Sequence, residues 1–221
     1  AYGGSEQAVV HKLDRSVSVA GTSHIKRSPL HGAWKESVKA PARLHPWVRD
    51  DGVHIDPYKM ARDSLFLPRP TFERELIQPI VDVMLSQVPL EPKIYSVRDV
   101  VMGVDGDPYM SSMDRQSGMG LPFIHTVDTS KYPGKSYFMG DPDVPESDRL
   151  DELEQHVMEA IDEILEDLRP DFFYVVSLKD ETLLKEKADR KTRSFAAAPI
   201  VLTTLLGMYF GCFEKWLIQN R

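Results

Sequence analysis

The chain has 221 residues, 42% of them hydrophobic and 28% charged, with a net charge of −7. That is the composition of a globular chain long enough for one large domain or two small ones. No run reaches the 18 consecutive apolar residues of a spanning helix, and the start, Ala1 to Gln7, lacks the basic and apolar parts of a secretory signal. Without an initiator Met, the chain reads as part of a longer polypeptide. Its single cysteine, Cys212, excludes an internal disulfide framework and a cysteine-based zinc site, reads as a core residue, and points to a reducing compartment. The net charge alone argues against nucleic acid as a partner. Yet 13 acids against 2 arginines fall between Asp141 and Asp171, and the remaining residues together carry +4. The acidic segment and the rest are therefore judged separately.

Residues 1–70 are rich in proline, glycine and polar residues. They read as an extended arm lying on other parts of a larger protein, with short strands at Val17–Ala20 and His24–Ile25. Trp34, Trp47, Ile55, Tyr58, Leu65 and Phe66 argue against full disorder. Thr71–Val88 has helical spacing, with Thr71 as cap and Pro79 as a kink or a break. Ile94–Met102 fits a short helix or a strand, and Gly103–Pro122 is a glycine-rich loop. Pro145–Leu168 is the clearest helix, with an apolar stripe of Leu150, Leu153, Val157, Ile161, Ile164, Leu165 and Leu168, and Pro170 to end it. Phe172–Leu178 predicts a buried strand, Lys179–Arg193 a charged loop, and Ser194–Ala198 a strand pairing back. Ile200–Leu217 is apolar almost all round and reads as a buried helix.

The loop carries the chemistry. It holds Lys179, Lys185, Lys187, Arg190, Lys191 and Arg193 together with Asp180, Glu181, Glu186 and Asp189. A generic charge run is a solvated surface loop. Here, residues 185, 187, 191 and 193 share odd positions, so an extended hairpin would put four bases on one face. Two hydrophobic elements flank the loop and can hold it. Such a set can surround a triphosphate, with arginine giving bidentate contact and lysine a point charge, while the acids tie the loop in place.

Lys179-Asp180-Glu181, Lys185-Glu186-Lys187-Ala188-Asp189 and Lys191-Thr192-Arg193 together resemble motif F of the RNA-dependent RNA polymerases of picorna-like positive-strand RNA viruses. The spacing between Lys187 and Lys191 is one residue shorter than the common pattern, and Leu183 stands where many relatives carry arginine. Ser117-Gly118-Met119-Gly120-Leu121-Pro122 is similar to motif G, and Tyr95–Gly103 resembles the segment leading into it. Ile25–Pro29 and Lys39–Leu44 resemble the N-terminal index-finger region with its Pro-Ala-x-Leu element. Within that group the dicistrovirus and iflavirus types are the nearest in impression.

The resemblance implies an α+β fold. It would be the fingers subdomain of a right-hand polymerase, without most of the palm and all of the thumb. Residues 1–70 would be the arm, and 71–221 the fingers region with motifs G and F. It implies that Arg193, Lys191, Lys187 and Lys179 face the nucleotide in its entry tunnel. Ser117, Gly118, Gly120 and Pro122 would lie beside the template strand, and Phe195 against the templating base. Asp180, Glu181 and Asp189 would hold the loop. The parent enzyme would use Mg²⁺ or Mn²⁺, held by an Asp-x4-Asp motif and a Gly-Asp-Asp motif that follow motif F in the family. Asp105-Gly106-Asp107 and Gly140-Asp141-Pro142-Asp143 precede motif F and read as turns. This chain is thus expected to hold no metal ligands or catalytic residues and to be inactive alone. The implied partners are RNA template, NTPs, the palm and thumb, and a viral protein primer, with no transmembrane segment. The implied setting is the host cytoplasm, at viral replication complexes.

The seven histidines show no paired metal spacing, and neither a Gly-x-Ser-x-Gly elbow nor a Walker A loop is present. Met110, Met113 and Met119 read as packing residues. An alternative from another class is a non-enzymatic interaction module that binds a partner through the acidic helix 150–168. A cellular nucleotide-binding protein is weaker, since no glycine loop joins a strand to a helix.

Overall fold

A computed structural model describes residues 23–26, 28–29, 39–65, 74–87, 93–144 and 147–220. The expected strand at Val17–Ala20, the Thr71 cap, and Trp34 and Phe66 lie outside the described residues. By contacts the chain forms two units, each taken by itself below. Residues 1–70 group with 176–196, and residues 71–175 with 197–221.

In the first unit, β1 (Lys39–Pro41) pairs antiparallel with β5 (Thr182–Leu184), setting Lys39 opposite Leu184 and Pro41 opposite Thr182. This is why 176–196 groups with the N-terminal segment. β2 (Trp47–Val48) and β3 (His54–Ile55) form a tight hairpin around Asp51-Gly52, where Gly52 has φ +81°. Helix α1 (Pro57–Leu65) follows, although the sequence reading placed only a broken arm here. Asp56 caps it: its carboxylate accepts from Tyr58 N at 2.9 Å and Lys59 N at 3.1 Å, and Pro57 occupies the first helical position. His24–Ile25, expected as strand, are not strand. β4 (Val175–Leu178) pairs with β6 (Ser194–Ala197), the return expected from the sequence. The strand is shorter than Phe172–Leu178 and half-buried, with Phe173 and Tyr174 exposed.

The second unit has a helical core. Helix α2 (Arg74–Gln87) runs through Pro79, and its apolar residues Leu76, Ile80, Val83 and Leu85 are exposed. Helix α3 (Val97–Met102) settles the helix-or-strand ambiguity. Ser96 and Asp99 form a reciprocal capping box, each side chain meeting the other's backbone N–H at 3.0 Å. Two short helices, α4 (Phe123–Thr126) and α5 (Ser136–Met139), bring Phe123 and Phe138 edge to face at 4.8 Å.

Helix α6 (Leu150–Leu165) buries Leu150, Leu153, Val157 and Ala160. It ends before Pro170. Asp167 takes φ +60°, its N–H donates to Ile164 O, and Leu168 N donates to Glu163 O. That is a Schellman termination with aspartate in the left-handed position. The end of the stripe is open: Ile164, Leu165 and Leu168 are exposed.

Helix α8 (Ile200–Gln219) buries Ile200, Val201, Thr204, Leu205, Met208 and Gly211, and leaves Leu206, Tyr209, Phe210, Leu217 and Ile218 exposed. It is a one-faced core helix, not one buried all round. By length and composition alone it is long and apolar enough to cross a membrane, but its buried face packs on α3 and α6. At Gly207 a Cβ would lie 2.5 Å from Val100 Cγ1, so glycine permits the close α3–α8 approach. Lys215 reaches Asp107 at 2.5 Å and ties the outer end of α8 to the loop after α3.

Candidate functional site

The charged loop 179–193 is not a single extended hairpin. After β5 it makes one helical turn, α7 (Lys185–Ala188). Lys185 and Lys187 therefore sit on a helix, which corrects the reading that set them on one strand face with residues 191 and 193. Ala188 is buried beneath the turn. At the base of the loop Lys179 N donates to Arg193 O at 2.8 Å.

The acids hold this loop. The Asp180 carboxylate accepts from Ser23 Oγ at 2.6 Å and from His24 N at 2.7 Å. Asp189 pairs with Arg43 at 2.7 Å, and the Arg43 guanidinium also lies 5.4 Å from the centre of the Trp47 ring. Thr192, only 6% exposed, donates from Oγ1 to Arg43 O at 2.6 Å. Ala42 N donates to Glu181 O at 2.8 Å. Residues 23–24 and 39–43 thus clasp the loop by strand pairing, hydrogen bonds and an ion pair.

Glu181 grips Arg193 bidentately, with Arg193 Nε to Glu181 Oε1 at 2.5 Å, and Lys179 stands 3.9 Å away. The hydrogen bond from Arg193 holds the Glu181 carboxyl below its usual range, and Glu181 in turn raises the Arg193 guanidinium. Lys185, Lys187 and Lys191 are exposed and make no ion pair with a described residue. Three ammonium groups on one clasped loop form a positive surface with no ion-pair partner among the described residues. It suits a multiply charged anion that supplies the missing negative charge. Phe195, on β6, is 50% exposed.

The loop 114–122 belongs to the other unit. Asp114 anchors it: Oδ1 accepts from Gln116 N at 3.0 Å, and the carbonyl accepts from Ser117 N at 3.2 Å and Ser117 Oγ at 2.7 Å. Lys135 donates from Nζ to Ser117 Oγ, and Arg115 donates to Gly140 O. The Ser117 hydroxyl is therefore engaged within the loop. Gly118 is exposed, and its N–H makes no hydrogen bond with a described residue. Gly120 is buried at φ +77°, where a Cβ would lie 2.6 Å from Pro199 Cα. Pro122 is exposed at the start of α4.

The expected residues thus fall into two sets, Lys179, Lys187, Lys191 and Arg193 on one loop with Phe195 on the strand that follows it, and Ser117, Gly118, Gly120 and Pro122 on another. The residues missed by sequence reasoning are Arg43, Thr192 and Lys135. Arg43 and Thr192 meet across 149 positions, a pairing no local pattern carries. Among the described residues no three His, Cys, Asp or Glu side chains converge as a metal site. The described side chains of the two loops do not fit a divalent-ion site; what they supply is charge and hydrogen-bond donors.

No family model matches the chain. It is 25% identical over 225 residues to a replicase polyprotein of Cricket paralysis virus, covering 96% of this chain and 13% of that protein. It is 26% identical over 223 residues to a replicase polyprotein of Acute bee paralysis virus, covering 96% and 11% respectively. For Drosophila C virus the figures are 24% identity, 93% and 12%. The chain therefore spans a small part of the relatives it matches. Among solved structures it aligns with the Sicinivirus 3Dpol RNA-dependent RNA polymerase at a TM-score of 0.64 and 23% identity, over 88% of this chain and 38% of that one. The chain is thus a relative of a segment of dicistrovirus replicase polyproteins and has the fold of part of a right-hand viral RNA-dependent RNA polymerase.

Proposed function

We propose that this chain is a fingers portion of a viral RNA-dependent RNA polymerase, lining the nucleotide tunnel with loop 179–193 and the template channel with loop 114–122. One observation carries the reading. Asp180 and Asp189 reach out of loop 179–193 to Ser23 and Arg43, Glu181 and Glu186 pair within it with Arg193 and Arg190, and Lys185, Lys187 and Lys191 make no ion pair among the described residues. A merely solvated charge run would not be tied to residues some 150 positions away, as Asp180, Asp189 and Thr192 are. A loop clasped by its acids and open at its lysines is preorganised for phosphates.

The proposed roles rest on the resemblance to motif F and are compatible with this geometry. Lys187 and Lys191 neutralise the incoming triphosphate as pyrophosphate departs. Arg193 is held in orientation by Glu181 and can share its remaining donors with a phosphate oxygen. Lys179 adds charge at the base of the loop. Phe195 offers a ring face to a base. The divalent ions of the reaction, Mg²⁺ or Mn²⁺, would be held by carboxylates elsewhere in the parent polyprotein, and the palm, thumb, RNA template and protein primer are the partners this role requires. The chain by itself is proposed to be inactive, and the parent enzyme to act in the host cytoplasm.

The test is NTP incorporation by the parent polymerase carrying Lys187→Ala and Lys191→Ala. Loss of one point charge from a phosphate costs about 1–3 kcal/mol. The expected result is a fall of roughly tenfold or more in kcat/KM for each variant. Unchanged incorporation would refute the assignment of this loop. Template-dependent synthesis by the isolated chain would refute its inactivity.

A further inference from the structure

Lys135 is unusual among the bases of this chain. It is only 8% exposed. Its N–H donates to Arg115 O at 2.8 Å, and its ammonium donates to Ser117 Oγ. The Ser117 hydroxyl in turn donates to Asp114 O at 2.7 Å. One residue therefore holds the turn 114–117 at two points, by its backbone N–H at Arg115 and by its ammonium at Ser117. Burial holds its ammonium below the usual lysine range, opposed by the Asp114 charge.

A buried ammonium costs free energy that an apolar side chain of similar length would avoid. If Lys135 only filled space, methionine would fill it more cheaply. What methionine cannot supply is a fixed donor to Ser117 and a positive charge at the loop. In that same loop Gly118 is exposed, and its N–H makes no hydrogen bond with a described residue. A Cβ at Gly118 would meet nothing within 4 Å, so crowding does not dictate glycine there.

We infer that Lys135 is a positioning residue for single-stranded RNA. By fixing Ser117 it holds the adjacent Gly118 N–H in place, and its charge favours a backbone phosphate at the loop. This deepens the template-channel reading above and rests on it. Lys135 does not touch the RNA; it acts through Ser117 and through its charge. The charged neighbours are Asp114, which partly offsets that charge, and Arg115, whose guanidinium is turned to Gly140 O.

The experiment measures binding of a fluorescein-labelled single-stranded RNA to the 221-residue chain by anisotropy, with thermal melting of each variant in parallel. Lys135→Met is expected to melt at the same temperature or higher, since a buried charge is removed. It is expected to bind RNA roughly tenfold more weakly, the value of a hydrogen bond to a charged group. Ser117→Ala is expected to weaken binding less, and the double variant to bind no more weakly than Lys135→Met, because the two act in series. Lys135→Arg, which keeps the charge, should recover part of the affinity. If Lys135→Met does not fold, Ser117→Ala decides: weaker binding at unchanged melting supports the inference, and unchanged binding overturns it. Wild-type binding that Lys135→Met leaves intact overturns the inference and spares the polymerase reading. Failure of the wild-type chain to bind RNA overturns the inference together with the template-channel reading.

Discussion

Gly118 and Gly120 stand two residues apart and answer to different constraints. The sequence pattern Gly-x-Gly-x-Pro presents them as equals, both suited to a phosphate approaching the backbone. Gly120 is fixed by the fold: its φ of +77° is left-handed, and a Cβ there would press on Pro199 Cα from 2.6 Å. Backbone on both sides cannot give way cheaply. Gly120→Ala is therefore expected to lower stability by about 2–3 kcal/mol, read from the denaturant midpoint. Gly118→Ala meets open space and should stay within about 0.5 kcal/mol of wild type. Equal losses at both positions would contradict this division. The distinction was not legible in the sequence, because the partner of Gly120 lies some eighty positions downstream. The roles of Asp180, Glu181 and Asp189 as holders of the loop were legible, since acids interleaved with lysines and arginines have few other uses in such a loop. The identities of their partners, Ser23 and Arg43, were not.

At the scale of elements, local periodicity was readable and partnership was not. The α6 stripe was evident from its spacing, and Leu153 and Val157 are indeed fully buried. The same stripe predicted equal burial for Leu165, which is 78% exposed. Spacing says which residues share a face, and only the neighbouring helix says how far along that face is covered. Leu153→Ala should cost about 2–5 kcal/mol through lost burial and a residual cavity. Leu165→Ala should change stability by less than about 0.5 kcal/mol. Comparable melting shifts for the two would mean that α6 packs along its whole length. Two elements had local signals that the reading of 1–70 as an extended arm did not use. Asp56-Pro57 is a strong helix start, and Asp51-Gly52 a strong hairpin turn, yet the density of prolines in 1–70 argued for an extended arm. The β1–β5 ladder has no sequence signature, because its strands of three residues lie some 140 positions apart.

At the scale of the whole molecule, the dependence of stability on pH follows from groups in both units. Glu181 is held below its ordinary value first by the Arg193 hydrogen bond, and Asp107 first by the Lys215 hydrogen bond. Asp99 is lowered first by the Ser96 backbone, within the α3 capping box. A carboxyl whose folded pKa is depressed binds its proton more readily in the unfolded chain. Its contribution is fully present above the ordinary carboxylate value near 4 and is lost as pH falls through the lower folded value. Lys215 behaves oppositely: raised by its bond to Asp107, it contributes below about 10.5 and loses that contribution at higher pH. Lys135 offsets this at the alkaline end, because burial lowers it and the cost of its charge is relieved as pH rises. The alkaline limb should therefore be shallow, and the acid limb diagnostic. Denaturant midpoints should be flat from about pH 5 to pH 8 and fall steeply below about pH 4. Glu181→Gln and Asp107→Asn should each flatten part of that fall, Glu181→Gln in the transition of the first unit and Asp107→Asn in that of the second. A midpoint as steep in both variants as in wild type would show that these ion pairs do not set the acid limit of the fold. It would also weaken the claim that Glu181 orients Arg193, since the same hydrogen bonds underlie the depressed carboxyl and the fixed guanidinium.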